Sequence, residues 1–117
     1  PAFFFSSAGL NNVIIVSGLD ESGRISATSN SGRFLSKVAA PAEGSVSFFP
    51  GSQVSSDLKT TSVAAAYATG AAALIATLPG YASVDKIRDL LLKAAAVQKG
   101  NIPLDVLSGG ALYIGAL

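Results

Sequence analysis

Nineteen residues from Thr60 to Leu78, TTSVAAAYATGAAALIATL, carry no charge, and most of them are Ala, Thr, Gly or Ser. A run this apolar has to be hidden, either in a membrane or in a core. A membrane span needs about 20 strongly apolar residues. Ala, Thr, Gly and Ser are weak drivers of insertion, and the stretch has no aromatic belt. It therefore reads as a helix buried on all sides, with Gly70 and the alanines letting neighbouring backbone come close. One hydroxyl, Ser62, stands near its start.

The rest of the composition agrees with a buried core. The chain has 117 residues, enough for one small domain. Half is hydrophobic and 13% is charged, against about 25% in an average soluble domain. Net charge is +1 with the Lys and Arg scattered, so no basic stripe points to nucleic acid. The absence of Cys and His removes disulfides, thiolate metal sites and the usual proton shuttle. Carboxylates are too few and dispersed for a calcium loop, and the residues themselves call for no cofactor. The chain has no Met and starts at Pro1, which suggests a processed piece or an excised segment. PAFFFSSAGL has an apolar patch but no basic start, unlike a signal peptide.

Along the chain, NNVIIVSGL (Asn11 to Leu19) is a β-branched run that predicts a buried, parallel strand. DESG predicts a turn, RISATSNSGRFL an irregular loop, and SKVAAP a short strand ended by Pro41. GSVSFFPGS predicts a strand with Val46 and Phe48 inward, stopping at Pro50-Gly51, and SQVSSDLK reads as a polar connector. After the apolar stretch, Pro79-Gly80 is a break. SVDKIRDLLLKAAAVQ is an amphipathic helix: Ser83 can cap it, Asp85 sits in the first turn, and Val84, Ile87, Leu91 and Ala94 or Ala95 line one face. LDVLSGGALYIGAL is an apolar tail suited to a last strand or short helix.

The order of these pieces resembles the subtilisin-like serine peptidases, the proteinase K branch in particular. NVIIVSGLD, ISATSNSG, VAAP and TTSVAAAYATGAAAL fall in register with that family's strand, loop, "APG" and nucleophile motif "GTSMA-PHVAGAAAL". Pro1-Ala2 looks like the Pro-Ala before the same strand, and NIP…LSGGALYIG is similar to the family's ending. The resemblance implies an α/β fold: the later strands of a mostly parallel sheet, a buried Ser-bearing helix and an amphipathic helix. Residues 1–117 would form the C-terminal part of the domain, with the catalytic Asp, the catalytic His and the oxyanion Asn upstream. The implied activity is peptide-bond hydrolysis, in a secreted or lumenal setting. The implied partner is the N-terminal half of the same domain or another large protein. Calcium is implied as a family cofactor, bound through loop carbonyls near Ala2 to Ser7.

Residue by residue, Thr61-Ser62 match the family's Thr-Ser, so Ser62 takes the nucleophile position. A serine at a helix start has its own N–H free to donate to an oxyanion, and the helix dipole favours the charge that develops there. The departures are Thr60 for Gly, Val63 for Met, Ala66-Tyr67 for Pro-His, Ala42 for the Gly of "APG", and Ala111 and Ile114 where a Gly and an Asn are expected. A Cβ at position 60 is expected to crowd backbone that uses glycine's freedom. These departures keep a second reading open, a non-catalytic subtilisin-like subunit with a structural or binding role; a third is an unrelated small α+β domain. Without a histidine, Ser62 has no triad within the chain; a dyad with Lys59 is the local alternative. Asp20, Glu21 and Asp57 are the carboxylates with some chance of acid–base work, though Asp20-Glu21 suits an exposed turn. Gly109-Gly110 do not follow strand-to-helix order and mark no phosphate loop. Phe3, Phe4 and Phe5 are either an exposed patch or core.

Overall fold

A computed structural model describes residues 9–51, 53–97, 104–112 and 115. The expectations for Pro1-Ala2, Phe3–Phe5, the 2–7 stretch and Ile114 lie outside the described residues.

The elements run β1 (Val16–Leu19), β2 (Val38–Pro41), β3 (Ser45–Phe49), β4 (Gln53–Leu58), α1 (Thr61–Ala76) and α2 (Val84–Val97). This is an α/β arrangement built on a short parallel sheet. β1 and β2 pair in parallel, Val16 with Val38 through Leu19 with Pro41. The strand expected from Asn11 is shorter because its partner has only four residues. The last bond at its start runs from the Lys37 N–H to the Ile15 carbonyl. Pro41 ends β2 because it has no N–H to offer the ladder.

Side chains alternate across this sheet. Val38 and Ala40 face the helices, packing in clusters with Ala71, Ile75, Leu91 and Ala95, and with Ala42 and Ala64. Leu19 and Ala39 face the other way and pack with Val106. The 104–112 segment covers that second face. The Leu107 and Ser108 N–H groups donate to the Ser36 and Lys37 carbonyls, and the Leu112 N–H donates to the Ala39 carbonyl at 2.7 Å. Ala111 forms a parallel bridge to Ala39, so the tail does add a strand-like contact. Both faces are therefore covered, as parallel sheets require.

β3 and β4 form a separate antiparallel hairpin, closed at Phe49 and Gln53, with Gly51 at φ 87° in the turn. Gln53–Leu58, expected as part of a polar connector, is thus a strand. The facing of β3 is also reversed. Val46 and Phe48 are 61% and 76% exposed, while Ser45 is buried. Ser45 is the residue directed at α1, where its hydroxyl donates to the Tyr67 hydroxyl.

α1 is buried along one face only: Ala64, Ala68, Ala71 and Ile75, spaced four, three and four. Tyr67, Gly70, Ala73 and Leu74 are exposed, so the helix is not enclosed on all sides. A Cβ built on Gly70 meets nothing within 4 Å, so no neighbouring backbone is held close there. In α2, Ile87, Leu91, Ala94 and Ala95 point inward as expected, whereas Val84 is 54% exposed and lies off that face. The Ser83 carbonyl accepts from the Ile87 N–H at the helix start. Asp85 does sit in the first turn, 3.1 Å from Arg88. Arg88 also donates to the Asn11 carbonyl at 3.3 Å, tying α2 to the chain before β1. Among the described residues no helix is long and apolar enough to cross a membrane.

The two neighbours Leu74 and Ile75 test this one-sided burial. Ile75→Ala removes a fully buried side chain and should cost about 2–5 kcal/mol. In this 117-residue chain by itself, Leu74→Ala, at a position 53% exposed, should stay within about 0.5 kcal/mol. Urea midpoints of the two variants check the contrast; equal losses would mean that both faces are packed.

Candidate active site

The start of α1 is built by close approach of small residues. Gly18 lies on the helix-facing side of β1, and a Cβ there would sit 2.6 Å from the Ala42 Cβ and 3.5 Å from the Thr61 Cγ2. Real Cβ atoms do not come that close, so glycine is what lets the end of β2 and the start of α1 converge. Ala42 is buried, and its carbonyl accepts from the Thr60 N–H at 3.2 Å. The helix start is thereby tied to the chain leaving the sheet.

Thr60 is the N-cap of α1, with φ −148° and ψ 144°. That is extended backbone, open to any residue, so the Cβ does not crowd a conformation reserved for glycine. The side chain does something else: its Oγ1 accepts the Ser62 N–H at 3.3 Å. Threonine is a good N-cap because its oxygen satisfies one of the orphan donors of the first turn. The Ser62 N–H is therefore engaged within the chain, and the expectation of a free donor is overturned. The signal was present in the sequence, since Thr-Thr-Ser before an alanine run fits the N-cap rule.

Ser62, the second residue of α1, is exposed, and Thr61 before it is half-buried. Lys59 is exposed, and among the described residues no hydrogen bond joins it to Ser62, so the dyad gains no support from the structure. Tyr67 stands one turn on from Val63, its hydroxyl accepting from Ser45 at 3.4 Å. Val63 opens an apolar groove of about 560 Å³ between α1 and the β3–β4 hairpin. Val46, Leu58, Tyr67, Gly70 and Leu74 line the rest of it.

Among the described residues no hydrogen bond joins Asp20 or Glu21 to Ser62. Asp57 falls on β4. Asp20 holds a turn: its Oδ1 accepts from the Ser22 N–H, the Ser22 hydroxyl and the Arg24 N–H, at 2.7 to 2.9 Å. Glu21 is an exposed residue of the same turn. Gly109 takes φ 71° in the buried loop under the sheet. Among the described residues no group of three or more His, Cys, Asp or Glu could hold a metal ion.

Residues 5–109 match the Subtilase family, and the chain belongs to that family. Among solved structures it is similar to the self-cleaved protease domain of PatA, at TM-score 0.68 and 26% identity. The likeness covers 93% of this chain and 41% of that one, so this chain spans well under half the length of the protease domain it resembles. No curated protein matches it.

The turn around Asp20 gives a pH prediction. The Ser22 hydroxyl, above all, and the Arg24 N–H hold its carboxyl below the ordinary value of 3.8. A carboxyl lowered by folding stabilises fully above its unfolded pKa, and that contribution is lost as pH falls through the native one. An NMR titration should find Asp20 below 3.8 in the wild type and return it toward the ordinary value in Ser22→Ala.

Proposed function

We propose that this chain is the C-terminal, nucleophile-bearing part of a subtilisin-like serine endopeptidase of the proteinase K-like branch, with Ser62 as the nucleophile. The observation that carries the reading is an exposed Ser62 in the first turn of α1, inside the segment that matches the family. In this reading the Ser62 Oγ attacks the carbonyl carbon of a peptide substrate. A histidine from the rest of the domain takes the hydroxyl proton and passes it to the leaving amine, and the histidine is oriented by an aspartate. Water then hydrolyses the acyl-enzyme and returns the proton to Ser62. The setting is secreted or lumenal, following the family.

The histidine and aspartate would come from the upstream part of the domain. The size of the relative supports this, because 59% of its chain has no counterpart here, taken as the remainder after the 41% covered. The groove on α1 supports it too. Val46, Leu58 and Leu74 line an open apolar surface beside the nucleophile, and burying such a surface is favourable at roughly 25 cal/mol per Å². The occupant we assign to it is that upstream part. The alternative is a non-catalytic subtilisin-like subunit. It is favoured by the engagement of the Ser62 N–H by Thr60.

A fluorophosphonate probe on the intact protein should label Ser62. Ser62→Ala should abolish labelling and peptide hydrolysis, since losing such a nucleophile costs on the order of a million-fold in turnover. A folded, intact protein holding its Asp and His yet remaining unlabelled would leave the non-catalytic subunit as the function. Occupancy of the groove has its own test. Gly70→Leu in the intact protein should lower stability by about 1–3 kcal/mol if another segment packs there. An unchanged melting temperature would show an open groove.

A further inference from the structure

The contact between Thr60 and Ser62 reaches beyond capping. In acyl transfer, a backbone N–H is most useful when it is aimed at the position an oxyanion will occupy and bound to nothing else in the ground state. The Ser62 N–H belongs to the same residue as the hydroxyl, and it is already held by the Thr60 Oγ1 at 3.3 Å. That is longer than the usual 2.9–3.0 Å of an N–H···O bond, so the hold is one that a stronger acceptor can displace. A negatively charged oxygen is such an acceptor, because charge-assisted hydrogen bonds are about twice as strong as neutral ones.

Thr60 is also well placed to stay where it is. Its N–H donates to the Ala42 carbonyl and its carbonyl accepts from the Val63 N–H at 3.0 Å, so the backbone is fixed on both sides. The close approach of Gly18 to Ala42 and Thr61 fixes the same junction from the sheet. The hydroxyl therefore returns to the Ser62 N–H whenever that site is vacated.

We infer that Thr60 is a positioning residue that acts through the Ser62 N–H. Its hydroxyl competes with the substrate oxyanion for that donor, stabilising the resting helix at the expense of the transition state. The inference rests on the reading of Ser62 as a nucleophile. It identifies the residue that sets how far the site is damped. An N-cap of this type contributes enough to helix stability that its release should change donor availability by about fivefold.

Three variants of the intact protein separate the possibilities: Thr60→Val, which keeps the shape and loses the acceptor; Thr60→Ser, which keeps the acceptor; and Thr60→Gly. Two readouts are needed beside the melting temperature: the rate of fluorophosphonate labelling at Ser62, and the affinity for a peptide boronate, whose tetrahedral adduct places an oxygen on the donor. Thr60→Val and Thr60→Gly should label about fivefold faster and bind the boronate correspondingly tighter, with a lower melting temperature in Thr60→Val. Thr60→Ser should stay near wild type in all three. Wild-type labelling that is unchanged or slower in Thr60→Val and Thr60→Gly, despite a fall in melting temperature, would reduce Thr60 to a helix cap and overturn the inference while the nucleophile reading stands. If wild type and all variants stay folded but unlabelled, both readings fall.

Discussion

The rest of the structure depends on how closely the β1–β2 pair and α1 can approach. That distance is set by small residues. Ala40, Ala42 and Ala64 form a buried cluster at one end of the contact, and Gly18 beside them has no room for a Cβ. Farther along α1 the contact widens, and Ile75 and Leu91 fill it with Val38. Small residues line the contact at the start of α1, and larger ones fill it toward the far end. Larger side chains near Gly18 would push the helix start outward, and with it Thr60, Thr61 and Ser62.

Hydroxyl hydrogen bonds hold the loops around this contact. The Ser17 hydroxyl, fully buried on β1, donates to the Asn30 carbonyl at 2.7 Å and lies 2.8 Å from the Ser36 Oγ. The Gly18 N–H donates to the Ser29 Oγ, and the Ser26 hydroxyl donates to Glu43 at 2.6 Å. No buried side-chain polar atom among the described residues is without a partner, which matters because an unpaired buried hydroxyl costs about 1–3 kcal/mol. The serine-rich loop is therefore part of the frame that positions β1. It fixes the sheet on which the start of α1 rests.

Function depends on what the two sides of α1 are given to do. The inner face is satisfied by the sheet and α2. The outer face carries an exposed Ser62 at one end and an apolar groove along its length. An exposed apolar face of this kind marks a surface suited to packing against another segment. The chain belongs to the subtilase family and spans 41% of the solved relative it resembles, which is why we propose the rest of such a domain as the occupant of that outer face.

The sequence by itself determined the elements whose signal is local. The VAAP strand, the charge-free helix from Thr61 and the amphipathic helix from Val84 form where their patterns place them, and the β-branched run yields a strand only at its end, Val16–Leu19. Asp20 is bound in the turn that its Asp-Glu-Ser-Gly neighbourhood implies. The position of Ser62 near the helix start was also legible, because capping and alanine-rich propensity act within a few residues. Tertiary structure alone decided the rest. Gln53–Leu58 becomes a strand because the β3 hairpin offers it a partner, which a polar run does not advertise. Val46 and Phe48 face outward because Ser45 is the residue turned to α1. Gly70 meets open space although its neighbours are alanines. Which side of a uniformly small helix is covered is a property of what packs against it. Periodicity cannot report that when every face of the helix carries the same small residues.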